Sequence, residues 1–117
     1  MTRSENDSRI DYIELGVSDI AKAKTFYGDA FGWSFQDYGP TYTEFFDGRL
    51  RGGFTTDRQP EPGGPLVVLY GDDLIAAQDR VEAAGGQIIK AVYDFPGGQR
   101  FHFLDPDGYE FAVWTKV

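Results

Sequence analysis

The chain has 117 residues and a formal net charge of −8, is 41% hydrophobic and 16% aromatic, and contains no cysteine. That length fits one domain standing on its own hydrophobic core, and the missing cysteine excludes disulfides, thiolate nucleophiles and thiolate metal sites. The acidic balance argues against nucleic acid as a partner. No stretch approaches the ~20 apolar residues of a membrane span, and the polar opening MTRSENDSR holds no apolar signal segment, so a cytoplasmic location is expected.

In chain order, Arg9 to Val17 alternates as a strand, with Ile13, Leu15 and Val17 on one face and Tyr12, Glu14 and Gly16 on the other. Ser18 and Asp19 offer N-cap oxygens to a helix whose apolar face is Ile20, Ala23, Phe26, Tyr27, Ala30 and Phe31, and Gly32 ends it. Trp33–Asp37, Thr41–Phe46 and Leu50–Thr55 read as three strands, turning at Gly39-Pro40 and Asp47-Gly48. The proline- and glycine-rich stretch 57–64 is a linker. Pro65–Tyr70 is again a strand. Asp72 or Asp73 then caps a helix with Leu74, Ala77, Val81 and Ala84 on one face, closed by Gly85 and Gly86. Gln87–Val92, Gln99–Leu104 and Glu110–Thr115 are three more strands, the last two joined by the turn Asp105-Pro106-Asp107-Gly108.

The second half repeats the first. An offset of 54 pairs Leu15 with Leu69, Asp19 with Asp73, Ala23 with Ala77, Ala30 with Ala84 and Gly32 with Gly86, matching strand end, cap, helix face and helix stop. The expected fold is α+β: one domain over residues 1–117, made of two βαβββ modules at about 9–56 and 65–117. Each helix covers one face of a four-stranded sheet. The other faces form a cup, either within one chain or between two subunits. Alternation puts Leu15, Val17, Leu69, Phe111 and Val113 under the helices. Tyr12, Glu14, Leu66, Val68, Tyr70, Glu110, Ala112 and Trp114 then face the cup.

The run IELGVSDIAKAKTFYGDAFGW, followed later by RFHFLDPDGYEFAVW, resembles the vicinal oxygen chelate superfamily of glyoxalases, extradiol dioxygenases and bleomycin-resistance proteins. The resemblance covers about Ile10 to Trp114. Fold alone does not give function. Metal-dependent members place His or Glu at four strand positions, which the resemblance carries onto Tyr12, about Gly53, Leu66 and Ala112. Those residues do not supply the donors a divalent ion needs, so no metal and no cofactor are expected. A shifted register would bring in Glu14, Glu44 and Glu110.

Three residues are candidates for acid–base chemistry. Glu14 and Glu110 have the parity to face the cup, where burial could separate their pKa values. His102, the only histidine, is suited to proton transfer near neutral pH. If Leu104 pairs with Tyr109, however, His102 turns away from the cup, and Phe101 and Phe103 join Ala112 inside; a bulge would reverse this. Tyr12, Leu66, Tyr70, Phe101, Phe103, Ala112 and Trp114 then form a ligand-binding lining with strong aromatic character. The resemblance implies a homodimer that binds a small aromatic or cationic molecule without metal. The alternatives are a glyoxalase-like lyase, isomerase or dioxygenase with a changed or metal-independent site, and an interaction module that has lost the site. Lactoylglutathione lyase activity is not expected, because that chemistry resembles metal-assisted proton transfer.

Overall fold

The computed structural model describes residues 4–117, so the first three residues of the polar opening lie outside the described chain. The elements follow the repeat: β1 (Tyr12–Gly16), α1 (Ile20–Phe31), β2 (Ser34–Asp37), β3 (Tyr42–Phe46), β4 (Arg51–Thr55), β5 (Val67–Tyr70), α2 (Leu74–Ala83), β6 (Gln87–Phe95), β7 (Gly98–Leu104) and β8 (Glu110–Lys116). Each module folds into a four-stranded sheet with the same order, β1-β4-β3-β2 and β5-β8-β7-β6. The first and last strands of each module pair in parallel and the rest antiparallel. This leaves β1 and β5 as edge strands.

Local chemistry sets the helix ends. Asp19 accepts the Lys22 amide at 3.0 Å and Asp73 accepts that of Ala76 at 3.1 Å, so each helix starts on a carboxylate N-cap. Gly32 closes α1 in the left-handed region with φ 73°. In α2 the left-handed residue is Gly85, following an Ala84 cap.

The core is one cluster drawn from both modules. Its centre is Tyr27 of α1, 1% exposed, whose ring packs on Trp33 and Phe54 from the first module and Phe111 from the second. Phe26, one residue earlier, reaches Phe103 on β7. Each such ring contributes roughly 1.5–3 kcal/mol by leaving water.

A polar clasp fastens the modules at this centre. The Tyr27 hydroxyl donates to Asp105 Oδ2 at 2.7 Å, while Asp105 Oδ1 accepts the amides of Asp107 and Tyr109 at 2.9 and 3.0 Å. Tyr109 in turn donates its hydroxyl to the Gly16 carbonyl and accepts the Glu61 amide, both at 2.9 Å. Ser18 Oγ donates to Asp107 at 2.6 Å. The linker passes so close to β1 that a Cβ at Gly16 would lie 2.4 Å from the Gln59 carbonyl oxygen, which only glycine avoids.

This clasp corrects one expectation. Because Asp105 captures the Tyr109 amide, Tyr109 belongs to the turn, and Leu104 pairs with Glu110. The one-residue difference exchanges the faces of β7. Phe101 and Phe103, expected in the cup, are fully buried in the core opposite Val113 and Phe111. His102, expected to turn away, stands opposite Ala112 on the outer face.

Replacing Asp105 with alanine would orphan the Tyr27 hydroxyl and two backbone amides, and should cost about 3 kcal/mol in urea unfolding. Burial raises the Asp105 carboxyl above its ordinary value, partly offset by hydrogen bonds from Tyr27, Tyr109 and Asp107. The folded state therefore holds this proton more tightly than the unfolded chain. Stability is lost as pH rises from the unfolded value, about 3.9, through the raised folded one. Asp105→Asn removes the titration, so wild-type stability measured against this variant should fall as pH climbs through that window.

Candidate functional site

A cleft of about 1000 Å³ lies between β1, the linker and the start of β8. Its floor is apolar, from Ile13, Leu15, Val67 and Phe111, and Glu14, Arg58, Glu61 and Glu110 bring charge to it. Glu14 and Glu110 stand on the strands that alternation chose for them, and Leu66 lines the same cleft. Arg58 reaches Glu14 at 3.8 Å.

Beside the cleft, the outer face of the first sheet carries a hydroxyl chain. Tyr42 donates to Glu14 Oε1 at 3.0 Å, so its oxygen, 2.7 Å from that of Tyr12, accepts the Tyr12 proton. Glu44, from the same face, receives Arg51 at 3.2 Å. Lost hydration is the main cause raising both phenols above the ordinary tyrosine value. The carboxylates of Glu44 and Glu14 add to it at Tyr12, and hydrogen bonds to Tyr12 and Glu14 add to it at Tyr42. Both hydroxyls stay protonated at neutral pH.

The chain of hydroxyls exists because of a missing side chain. A Cβ at Gly53 would lie 2.0 Å from the Tyr42 hydroxyl oxygen and 3.0 Å from that of Tyr12. Gly53 is thus a notch on β4 that the tyrosine pair fills.

On the outer face of the second sheet, Tyr70 meets Trp114 edge-on at 5.2 Å. Ala112 is fully buried between its strand neighbours Val68 and His102. His102, 7% exposed, sits between Glu110, at 2.7 Å from its Nδ1, and Tyr93, whose hydroxyl is 3.0 Å from its Nε2. Arg100 Nε donates to the Tyr93 oxygen at 2.5 Å.

Of the residues expected to line the cup, Tyr12, Leu66, Tyr70 and Trp114 lie on the outer faces or in the cleft, Ala112 is on the outer side but covered, and Phe101 and Phe103 are core. Sequence reasoning missed Tyr42 and Tyr93. The alternation of Tyr42 and Glu44 against Thr43 and Phe45 carried the signal for the first. Tyr93 lies beyond the expected end of its strand.

A family model described as the Glyoxalase/Bleomycin resistance protein/Dioxygenase superfamily matches residues 9–113. The chain belongs to this superfamily. It is 34% identical to the anthracycline biosynthesis protein DnrV of Streptomyces peucetius, an alignment covering 90% of this chain and 46% of that protein. It is 33% identical to DauV of Streptomyces sp. strain C5, with the same coverage. The chain therefore spans just under half the length of these relatives. Among solved structures, a glyoxalase-related enzyme from Fulvimarina pelagi superposes with a TM-score of 0.80 at 22% identity, covering 93% of this chain and 88% of that one. TioX from Micromonospora sp. ML1 gives 0.74 at 18% identity, covering 92% and 98%. At such identities these likenesses establish the fold alone.

At the positions that the resemblance assigns to metal ligands, the residues present do not supply donors for an ion. Tyr12 keeps its proton, Gly53 is filled by a neighbour, Leu66 has no donor atom and Ala112 is covered. Among the described residues no group of three or more His, Cys, Asp or Glu side chains is placed to hold one.

The notch can be tested by a double-mutant cycle. Gly53→Ala should destabilise by about 1–2 kcal/mol through overpacking against Tyr42. In a Tyr42→Ala background the same substitution should cost clearly less, because the closest contact is gone and only the one to Tyr12 remains. Equal costs in both backgrounds would show that the notch is not filled in solution.

Proposed function

We propose that the chain is a metal-free small-molecule-binding protein whose ligand is aromatic and cationic. The observation that carries this reading is the Tyr12–Tyr42–Glu14 chain, which ends in a carboxylate at a cleft with an apolar lining. Such a surface offers a flat compound ring faces and edges, and gives a protonated amine a hydrogen-bonded carboxylate. The protein's net charge of −8 draws cations toward it. Relatives named for anthracycline biosynthesis agree with a ligand built on fused rings.

Assembly as a homodimer belongs to the same reading. Tyr12, Leu66, Val68 and Tyr70 lie along or beside the edge strands β1 and β5 and are 38%, 37%, 41% and 48% exposed. A second copy laid on them would close the cup over a ligand.

Thermal melts with planar probes test the proposal. 9-Aminoacridine, a fused-ring cation, should stabilise the protein by about 2.7 kcal/mol at a hundred times its Kd. Anthracene-9-carboxylate should not, and Glu14→Gln should weaken binding of the cation about tenfold, the equivalent of ~1.4 kcal/mol. Ni²⁺, Zn²⁺, Mn²⁺ and Fe²⁺ should leave the melt unchanged. Stoichiometric binding of any of these ions at Glu14, Glu44 or Glu110 would overturn the reading in favour of a metal-dependent lyase or dioxygenase.

A further inference from the structure

A bulged strand places one more group beside the candidate site. In β6, Ile88 pairs with Phe103, Lys90 with His102 and Tyr93 with Arg100, so two extra residues enter β6 relative to β7. Without the second irregularity Val92 would stand opposite Arg100. With it, Val92 packs on the core and Tyr93 takes the outer face beside His102. Bulges re-aim side chains in this way.

The hydrogen-bond roles around Tyr93 follow from the chemistry of each group. Arg100 Nε can only donate, so the Tyr93 oxygen accepts from it. Glu110 Oε2 lies 2.7 Å from His102 Nδ1, a distance at which a proton on Nδ1 is donated to the carboxylate. A proton on Nδ1 leaves His102 Nε2, 3.0 Å from the Tyr93 oxygen, to accept the hydroxyl proton. The order carboxylate, imidazole, hydroxyl is that of an activated hydroxyl group. The charges around it are Lys90 on its own strand β6, with Nζ 4.2 Å from the Tyr93 ring centre, Arg100 on β7 and Glu110 on β8. Trp114 and Phe95 pack together at 6.3 Å on the same side, and Arg100 also lies 5.7 Å over Phe95.

We propose that Tyr93 is a proton-transfer residue, activated by His102 and Glu110, that acts on an enolisable aromatic ketone lying on the outer face of the second sheet. This rests on the ligand-binding reading above and extends it to chemistry. The ketone's carbon–hydrogen bond breaks, its proton passes to the Tyr93 oxygen, and the Tyr93 proton moves to His102 Nε2. The resulting imidazolium is held by Glu110. The electron pair stays on the ligand as an enolate, next to the cations of Arg100 and Lys90. Reversal returns a proton to the same or another carbon, so no oxidant, reductant or co-reactant is consumed. His102, Glu110 and Arg100 are positioning residues.

Three measurements on the full chain test the assignment. An aryl sulfonyl fluoride should label Tyr93 selectively, the phenol oxygen bonding to sulfur as fluoride leaves and the proton goes to His102. Peptide mapping should show this labelling fall about a hundredfold in His102→Ala, with recovery in part for Glu110→Asp over Glu110→Ala. Because the chain has one histidine, ¹⁵N spectra of its imidazole read the tautomer directly in the unmodified protein, and the proton should sit on Nδ1 at neutral pH. Lastly, the protein should speed deuterium exchange into 2-tetralone, and Tyr93→Phe should abolish the acceleration. Labelling spread over other tyrosines, labelling indifferent to His102, or a proton on Nε2 would overturn the relay. Exchange no faster with protein than without it would overturn the proton-transfer role. His102-dependent labelling with no binding of 9-aminoacridine would instead sink the ligand reading and leave the relay standing.

Discussion

The buried carboxylate of Asp105 holds this molecule in one arrangement. It has two oxygens and three donors, and the donors come from different parts of the chain: the α1 hydroxyl of Tyr27 and the turn amides of Asp107 and Tyr109. Meeting all three fixes the turn's length, and the turn's length fixes which residues of β7 face outward. The same turn presents Tyr109 to β1 and the linker. A hydrogen-bonded group under the aromatic core thus governs both the seam between modules and the identity of the side chains near the cleft. A desolvated polar group satisfied in only one geometry is an effective way to select that geometry.

Sequence periodicity carried far in this chain because its rules are local. The capping carboxylates Asp19 and Asp73, the stop at Gly32 and the outward parity of Glu14 and Glu110 all follow from neighbours within a few residues. Three features did not follow. The β7–β8 register turned on a side chain binding an amide four residues later, an option that a four-residue turn with proline and glycine well placed gave no reason to expect. The irregularities of β6 left no mark in its composition, so Tyr93 fell past the expected strand end. The role of Gly53 depends on Tyr42, eleven positions away and on the neighbouring strand, and alternation says which face a residue takes but not how far its side chain reaches.

The two modules share an order of strands, yet they have diverged in what each sheet displays. The first shows acceptors and phenols held protonated near Glu14. The second shows a histidine tied on both ring nitrogens, backed by guanidinium and ammonium groups. Both helices start on an aspartate N-cap, so their first turns do not report this difference.

Gly53 has a consequence for how such a protein can change. Its empty position is occupied by a neighbour's hydroxyl, so a histidine or glutamate introduced there meets Tyr42 before it meets any ion. A single substitution is penalised, and removal of Tyr42 alone leaves Tyr12 and Glu14 without their shared partner. Acquiring a ligating side chain at this point therefore also requires Tyr42 to move or be replaced. One glycine and one tyrosine thus tie the fates of two positions on neighbouring strands to each other.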